Sequence, residues 1–182
     1  MRNKDKCYCG SNKSFATCCQ AFINSDDLQP AYPPTPEKLM RSRFSAYVIG
    51  NGQYIYDTYA SSSQTLQSVD EINDWSEACT WIALEIHSKS YNELIENDIS
   101  DQFVEFSAFY VSEDTLFELR ENSRFVLEPE NQTERQWRYI DGDIIKHSEL
   151  ARIKRKDTCP CNNYLTAWSL KKGKKFKQCC GK

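Results

Sequence analysis

The chain has 182 residues, 40% apolar and 27% charged, which suits one medium domain with a buried core and excludes wholesale disorder or a collagen-like repeat. No apolar run approaches the ~18–20 residues of a membrane span, since the longest clean stretch, Phe103 to Val111, already contains Glu105. The net charge of −3 hides a strong asymmetry: residues 1–20 carry +3, residues 21–150 carry −15 and residues 151–182 carry +9.

In chain order, the first residues lead directly into cysteines with no apolar stretch, so the expectation is a soluble, cytoplasmic chain without a signal peptide. Residues 1–22 form a small cysteine-bearing module. Pro30, Pro33, Pro34 and Pro36 then mark a stiff linker. Thr35 caps a helix with Pro36 at its first position, Met40, Phe44, Tyr47 and Val48 follow at helical spacing, and Gly50-Asn-Gly52 ends it. A second short helix is expected over Gln53 to Ala60. The capping box Ser68-Val-Asp-Glu71 opens a third, with Ile72, Trp75 and Cys79 on one face.

From Thr80 the period changes to two, with Ile82, Leu84 and Ile86 alternating with Trp81, Ala83, Glu85 and His87. Further strands are expected over Gln102–Val111, Leu116–Leu127, Arg135–Asp141 and Asp143–His147, separated by turns at Glu113-Asp114, around Pro129 and at Asp141-Gly142. Helices first and a meander afterwards predict an α+β domain over residues 35–147, its helices packed on one face of a curved antiparallel sheet. A second cysteine-bearing module, residues 150–182, closes the chain.

Of nine cysteines, eight fall in two sets of four: Cys7, Cys9, Cys18 and Cys19, then Cys159, Cys161, Cys179 and Cys180. A disulfide framework scatters its cysteines, and vicinal pairs are badly placed to bridge each other. Four clustered thiolates instead suit a tetrahedral soft or borderline ion, with zinc favoured and iron the alternative. Two ions per chain are therefore expected. With every position filled by protein, each site is structural, and metal binding supplies most of the folding free energy of so small a module.

The first set, C-x-C-G-S-x-K-x-F-x-x-C-C, resembles the SEC-C motif, the metal-binding tail of the SecA preprotein translocase ATPase. Gly10-Ser11 and Phe15 match its loop. The second set keeps Cys159-Pro160-Cys161 and Gly173 to Cys180 but has Asn162-Asn163 in place of Gly-Ser and a nine-residue insertion, Tyr164 to Lys172. Between them, Leu39 to Tyr47, Glu121 to Phe125 and Trp137 to Gly142 are similar to the YchJ-like family, which joins SEC-C motifs to a nuclear-transport-factor-2-like (NTF2-like) domain. The resemblance covers nearly the whole chain and implies a cone-shaped central domain rather than an activity.

The central segment shows no catalytic constellation: no nucleophile elbow, phosphate loop, dinucleotide fingerprint or HExxH. His87 and His147 are the only histidines and read as structural. Arg124, Glu121, Trp137 and Tyr139 divide between a concave face and solvent, Arg41 and Arg43 pair with carboxylates, and Cys79 is a buried filler. The leading expectation is a non-enzymatic metal-binding adaptor whose C-terminal module meets ribosomal RNA or an acidic protein face, such as the SecB chaperone offers to the similar SecA tail. Its means are Lys171, Lys172, Lys174, Lys175 and Lys177 beside the second site, Arg152, Lys154, Arg155 and Lys156 before it, and Trp168 and Phe176 for stacking or anchoring. The competing role for these cations is to offset the thiolates or dock on the acidic middle. The alternative function is a small-molecule-binding protein or enzyme using a pocket in the central cone, with the metal modules as stabilising caps.

Overall fold

The computed structural model describes residues 6–24, 31–90, 101–129, 134–165 and 173–182. Five helices precede four strands, α1 Gln20–Ile23, α2 Pro36–Ile49, α3 Gly52–Asp57, α4 Ser61–Gln64 and α5 Val69–Ala78, then β1 Cys79–Lys89, β2 Gln102–Ser112, β3 Thr115–Pro129 and β4 Arg135–Arg152. The strands form one antiparallel meander in the order β1-β2-β3-β4. This is the α+β architecture that the change of period predicts. Among the described residues, no helix is long and apolar enough to cross a membrane.

The caps form where the sequence places them. The Thr35 hydroxyl accepts from Lys38 N at 3.2 Å, and Gly50, at φ 73°, closes α2 in the left-handed region. Ser68 accepts from Glu71 N at 3.4 Å and opens α5. The second helix is shorter than expected, ending at Asp57. Thr58 turns its hydroxyl back to the carbonyls of Tyr54 and Ile55, and the chain then pairs with β4. Tyr139 N donates to Thr58 O at 3.0 Å and Ala60 N to Tyr139 O at 2.7 Å, so sheet pairing takes the residues that helical periodicity would have kept. Cys79 likewise belongs to β1 and not to the preceding helix.

Two other expectations are corrected. Strict alternation puts Trp81 and Ala83 on one face and Ile82 and Leu84 on the other. The register instead slips between Trp81, opposite Tyr110, and Ala83, opposite Phe109. Ile82 is the extra residue of a β-bulge. Trp81 therefore joins Leu84 in the helix-facing core, while Ile82 and Ala83 pack on the outer face. The expected turn at Asp141-Gly142 is absent, because β4 runs unbroken from Arg135 to Arg152 and Gly142 pairs with Ser123. Glycine permits a close approach there: a Cβ at 142 would overlap the Glu121 carboxylate and displace it from Ser123 and Tyr139.

The core lies in three parts. Leu39, Met40 and Phe44 of α2 meet Trp81, Leu84, Val104, Phe106 and Phe125 between helices and sheet. The other two parts include the cysteines of the terminal modules. Cys7, Cys9 and Cys19 pack with Ile23, Ala46, Ile55 and Ile72, and Cys159, Cys161, Cys179 and Cys180 pack with Ile82, Ala83, Phe109, Val111 and Leu116. Each module thus covers a different layer of the central domain.

Candidate metal centres

The first module is folded by a short backbone circuit. Lys6 bridges Ser14. Cys7 N donates to Lys13 O at 2.8 Å, Gly10 N to Cys7 O at 3.3 Å, and Cys18 N to Phe15 O at 3.1 Å. This circuit brings Cys7 and Cys9 back over the Cys18-Cys19 pair, and the four sulfurs all lie within 4.8 Å of one another. Cys9 and Cys18 Sγ are 3.8 Å apart, and Cys18 and Cys19 Sγ 3.9 Å. Four sulfurs held ~2.3 Å from a central ion at tetrahedral angles would be about 3.8 Å apart. A disulfide needs ~2.05 Å, and all nine cysteines are free thiols.

The second module repeats the circuit almost bond for bond. Thr158 bridges Lys175. Cys159 N donates to Lys174 O at 2.8 Å, Asn162 N to Cys159 O at 3.1 Å, and Cys179 N to Phe176 O at 3.0 Å. Gly173 at φ 61° stands where the first module has Asn12 at φ 63°. Cys161 and Cys179 Sγ are 3.6 Å apart, Cys179 and Cys180 Sγ 3.9 Å, and all four sulfurs lie within 4.8 Å. The departure from Gly-Ser is absorbed locally. Pro160–Asn163 wind into a 3-10 turn in which Asn162 Nδ2 donates to Cys159 O at 2.7 Å and Asn162 Oδ1 accepts from Gly173 N at 3.3 Å. That side chain ties the two ends of the insertion together, so the ligand set closes as if the inserted residues were not there.

The chemistry of the donors fits a metal. Hydrogen bonds from Cys19, then Cys9, hold Cys7 down to about 3, and Cys159 is held down to about 2 by Cys161 and then Cys180. Cys9 and Cys19 are pushed well above the thiol range, in each case chiefly by their bond with Cys18. Four thiols crowded this closely can ionise together only when a cation replaces their shared protons. Around the first set, Ser11 Oγ lies 3.3 Å from Cys18 Sγ and Ser45 Oγ 3.8 Å from Cys7 Sγ. Ser11 is placed to donate to thiolate sulfur, whereas the Ser45 hydroxyl donates to Arg41 O at 3.1 Å and is within reach of the Cys7 thiol. Arg41 Nη1 donates to Cys9 O at 2.8 Å while its Nε donates to Glu37 at 2.7 Å, which fastens α2 to the module. Cys18 is half-buried, the one ligand candidate of the eight that is not fully buried.

The sequence reading missed Ser45, Asn162 and the carbonyl held by Arg41. Their signal exists only in part: Arg41 and Ser45 are four apart on one helical face, but nothing in the sequence says that this face meets a cysteine module. Other expected residues take varied places. Arg41 pairs with Glu37, but Arg43 meets no carboxylate among the described residues, donating instead to Ile55 O and Thr58 Oγ1 at 2.7 Å each. Arg124 is a surface residue paired with Asp141 and Asp101, while Glu121 and Tyr139 face a cavity. Trp137 lines a separate surface cleft. His87 is exposed and bonded to Ser107, His147 is bonded to Tyr110, and buried Cys79 is pushed up to about 11 by burial.

The two basic runs of the C-terminal module come together. Lys177 N donates to Arg155 O at 3.1 Å and Phe176 N to Asp157 O at 2.8 Å. Arg152, Lys154, Arg155, Lys156, Lys175 and Lys177 are exposed, and none forms an ion pair among the described residues. Phe176 is buried under the cysteines, where it cannot stack on a base. Trp168, Lys171 and Lys172 lie outside the described residues.

Comparison with known proteins agrees with this architecture. The family model described as "YchJ, middle NTF2-like domain" matches residues 35–142. A UPF0225 protein of Enterobacter sp. (strain 638) is 34% identical over 175 residues, covering 96% of this chain and 97% of its own length. A UPF0225 protein of Vibrio cholerae is 35% identical over 177 residues, covering 96% and 99%. Among solved structures, a SEC-C motif containing protein from Psychrobacter arcticus superposes with a TM-score of 0.67 at 25% identity, covering 99% of this chain and 97% of that one. Another SEC-C motif containing protein, from Rhodopseudomonas palustris, gives a TM-score of 0.64 at 25% identity, covering 78% and 99%.

Proposed function

The chain belongs to the YchJ-like, UPF0225 family with its NTF2-like middle domain, and from that premise we propose that it is a cytoplasmic zinc-binding adaptor. Each module holds one structural ion through its four cysteines, Cys7, Cys9, Cys18 and Cys19 in the first and Cys159, Cys161, Cys179 and Cys180 in the second. Borderline-soft zinc accepts four thiolates and demands no redox chemistry of the site. The ions rigidify the modules, and the second module presents its cations to an anionic macromolecular partner, ribosomal RNA or an acidic protein face.

One observation carries this reading: six exposed cations gathered by the second module's own backbone bonds, with no internal ion pair among the described residues. Exposed, unpaired cations are what long-range attraction to a polyanion requires.

The test is anisotropy of a labelled single-stranded RNA against metal-loaded full-length protein over a range of salt. Each phosphate contact should steepen the log K against log[salt] slope by about 0.7. Changing Arg155, Lys175 and Lys177 to glutamine should flatten the slope by about 2 while metal content stays constant. Binding unchanged by the triple variant removes the basic-face mechanism. An absence of RNA binding together with retention on an acidic protein column assigns the partner to the protein class.

A further inference from the structure

A cavity of about 180 Å³ lies between α2 and the helix-facing side of the sheet, and no residue of either cysteine module lines it. Its walls are aromatic, with Tyr47, Tyr59, Trp75, Trp81, Phe106 and Tyr139 around it, and Trp75 is its exposed lining residue, marking the mouth. Two charged side chains reach this space from opposite layers, Arg43 from α2 and Glu121 from β3.

Arg43 is 4% exposed. Its Nη1 serves Ile55 O and Thr58 Oγ1, and the guanidinium lies 4.4 Å from the Tyr59 ring centre and 4.7 Å from that of Tyr139. Among the described residues Nε and Nη2 carry no hydrogen bond, and no carboxylate pairs with the group. Glu121 is 8% exposed, and Oε1 alone takes the Ser123 hydroxyl and the Tyr139 hydroxyl, the latter at 2.9 Å. Its Oε2 has no partner among the described residues. Burial pushes the Tyr139 phenol well above its ordinary range, so it stays a donor to Glu121 and does not become a counter-charge for Arg43.

A buried cation and a buried carboxylate thus face one volume without touching each other. The hydrogen-bonding atoms that each group keeps free open on this cavity, where water or a ligand can complete them. We propose that the cavity binds a small amino-acid-like zwitterion of about six to ten non-hydrogen atoms, its carboxylate on Arg43 and its ammonium group on Glu121. The volume equals that of about six liquid waters, which sets the size. The charge pattern sets the class: a carboxylate alone leaves Glu121 unmet, an amine alone leaves Arg43 unmet, and only a zwitterion answers both. The aromatic walls accept its aliphatic part and favour the ammonium end. This site is independent of the adaptor role, because its lining excludes both modules.

Trp75 and Trp81 in the wall make tryptophan fluorescence a direct readout. Metal-loaded full-length protein is titrated with leucine, with 4-methylpentanoate, which lacks only the amine, and with 3-methylbutylamine, which lacks only the carboxylate. Leucine is expected to bind at least tenfold more tightly than either analogue. Glu121→Gln, which keeps an acceptor for Ser123 and Tyr139, should weaken leucine at least tenfold and leave 4-methylpentanoate unchanged. The analogue series needs no variant, so it decides the matter even if Glu121→Gln fails to fold. No response to any of the three compounds, equal responses to all, or leucine binding indifferent to Glu121→Gln would each overturn the proposal.

Discussion

The two cysteine modules share a circuit of backbone hydrogen bonds but sit on unlike ground. The first docks on helices: Ser45 and Arg41 of α2 reach Cys7 and the Cys9 carbonyl, and Cys18 stays half-buried. The second docks on the outer face of the sheet against Ile82, Ala83 and Phe109, with the Tyr164 ring centre 4.1 Å from that of Phe109 and tilted by 33°, and all four cysteines buried. Both contacts have an apolar part, but only the first adds side-chain hydrogen bonds from the helix beneath it. The cysteine spacing determines how a module closes, and the surface beneath it determines how deeply its cysteines are buried. The charges diverge too, +3 at one end of the chain and +9 at the other.

Removing single ligands gives the largest expected effect. Cys19→Ser and Cys180→Ser should each lower the metal content of anaerobically purified protein from two ions per chain to one, measured by elemental analysis. A structural zinc contributes apparent binding free energies of roughly 10–16 kcal/mol to such peptides, so the affected module should unfold. The helix-to-sheet core contains no module residue, so a cooperative thermal transition should survive at lower temperature in both variants. Loss of cooperativity in only one of them would show that its docking face is indispensable and the other's is not.

Next in size is the seat of the second module. Ile82→Ala removes a fully buried side chain of the bulge and should cost about 2–5 kcal/mol in denaturant unfolding, with faster metal release from the second site alone. Equal release from both sites would mean that the two faces are coupled. Smaller effects are expected from the polar groups around the ligands. Ser11→Ala should weaken the first site, and Asn162→Ala the second, by about 10–100-fold in chelator competition. Either variant acting on the opposite site would break the comparison.

The smallest effect is pH-dependent. Burial alone would raise the Glu37 carboxyl, but hydrogen bonds from Arg41 and Lys89 outweigh it and hold it below the ordinary range. A depressed carboxyl adds stability that is present above its unfolded pKa of about 4.3 and is lost as pH falls through the lower folded value. Glu37→Gln should therefore cost about 0.2–1 kcal/mol at pH 7 and nothing at the acid limit, with the first module affected and the second not. A penalty that persists in acid would point to packing and not charge.

Much of this was legible in the residues. The Thr35 and Ser68 caps, the switch from helix to strand near Thr80 and the two cysteine sets are local patterns, and local hydrogen bonding decides them. What stayed hidden depends on partners distant in sequence. The Ile82 bulge leaves alternation looking regular, and only the pairing with β2 shows that one residue is skipped. Gly142 reads as a turn until Glu121, 21 residues earlier, is seen to need its space. Arg43 reads as a surface ion pair until two tyrosines, Tyr59 from the segment after α3 and Tyr139 from β4, close over it.

The hydrogen-bonded neck of the second module has a consequence for evolution and for engineering. Asn162 and Gly173 clamp the ends of the nine-residue insertion, so the module can change length and sequence beyond the clamp without disturbing the thiols. Such a port offers a place to graft an epitope or a reporter peptide while the four cysteines keep their positions. At the corresponding junction in the first module, between Ser11 and Asn12, Ser11 Oγ accepts from Lys13 N at 3.4 Å and also lies 3.3 Å from Cys18 Sγ, so the group that spans the junction is shared with a cysteine of the set. A graft tolerated at the Asn162 junction and rejected at the Ser11 junction would locate this tolerance in a single asparagine side chain.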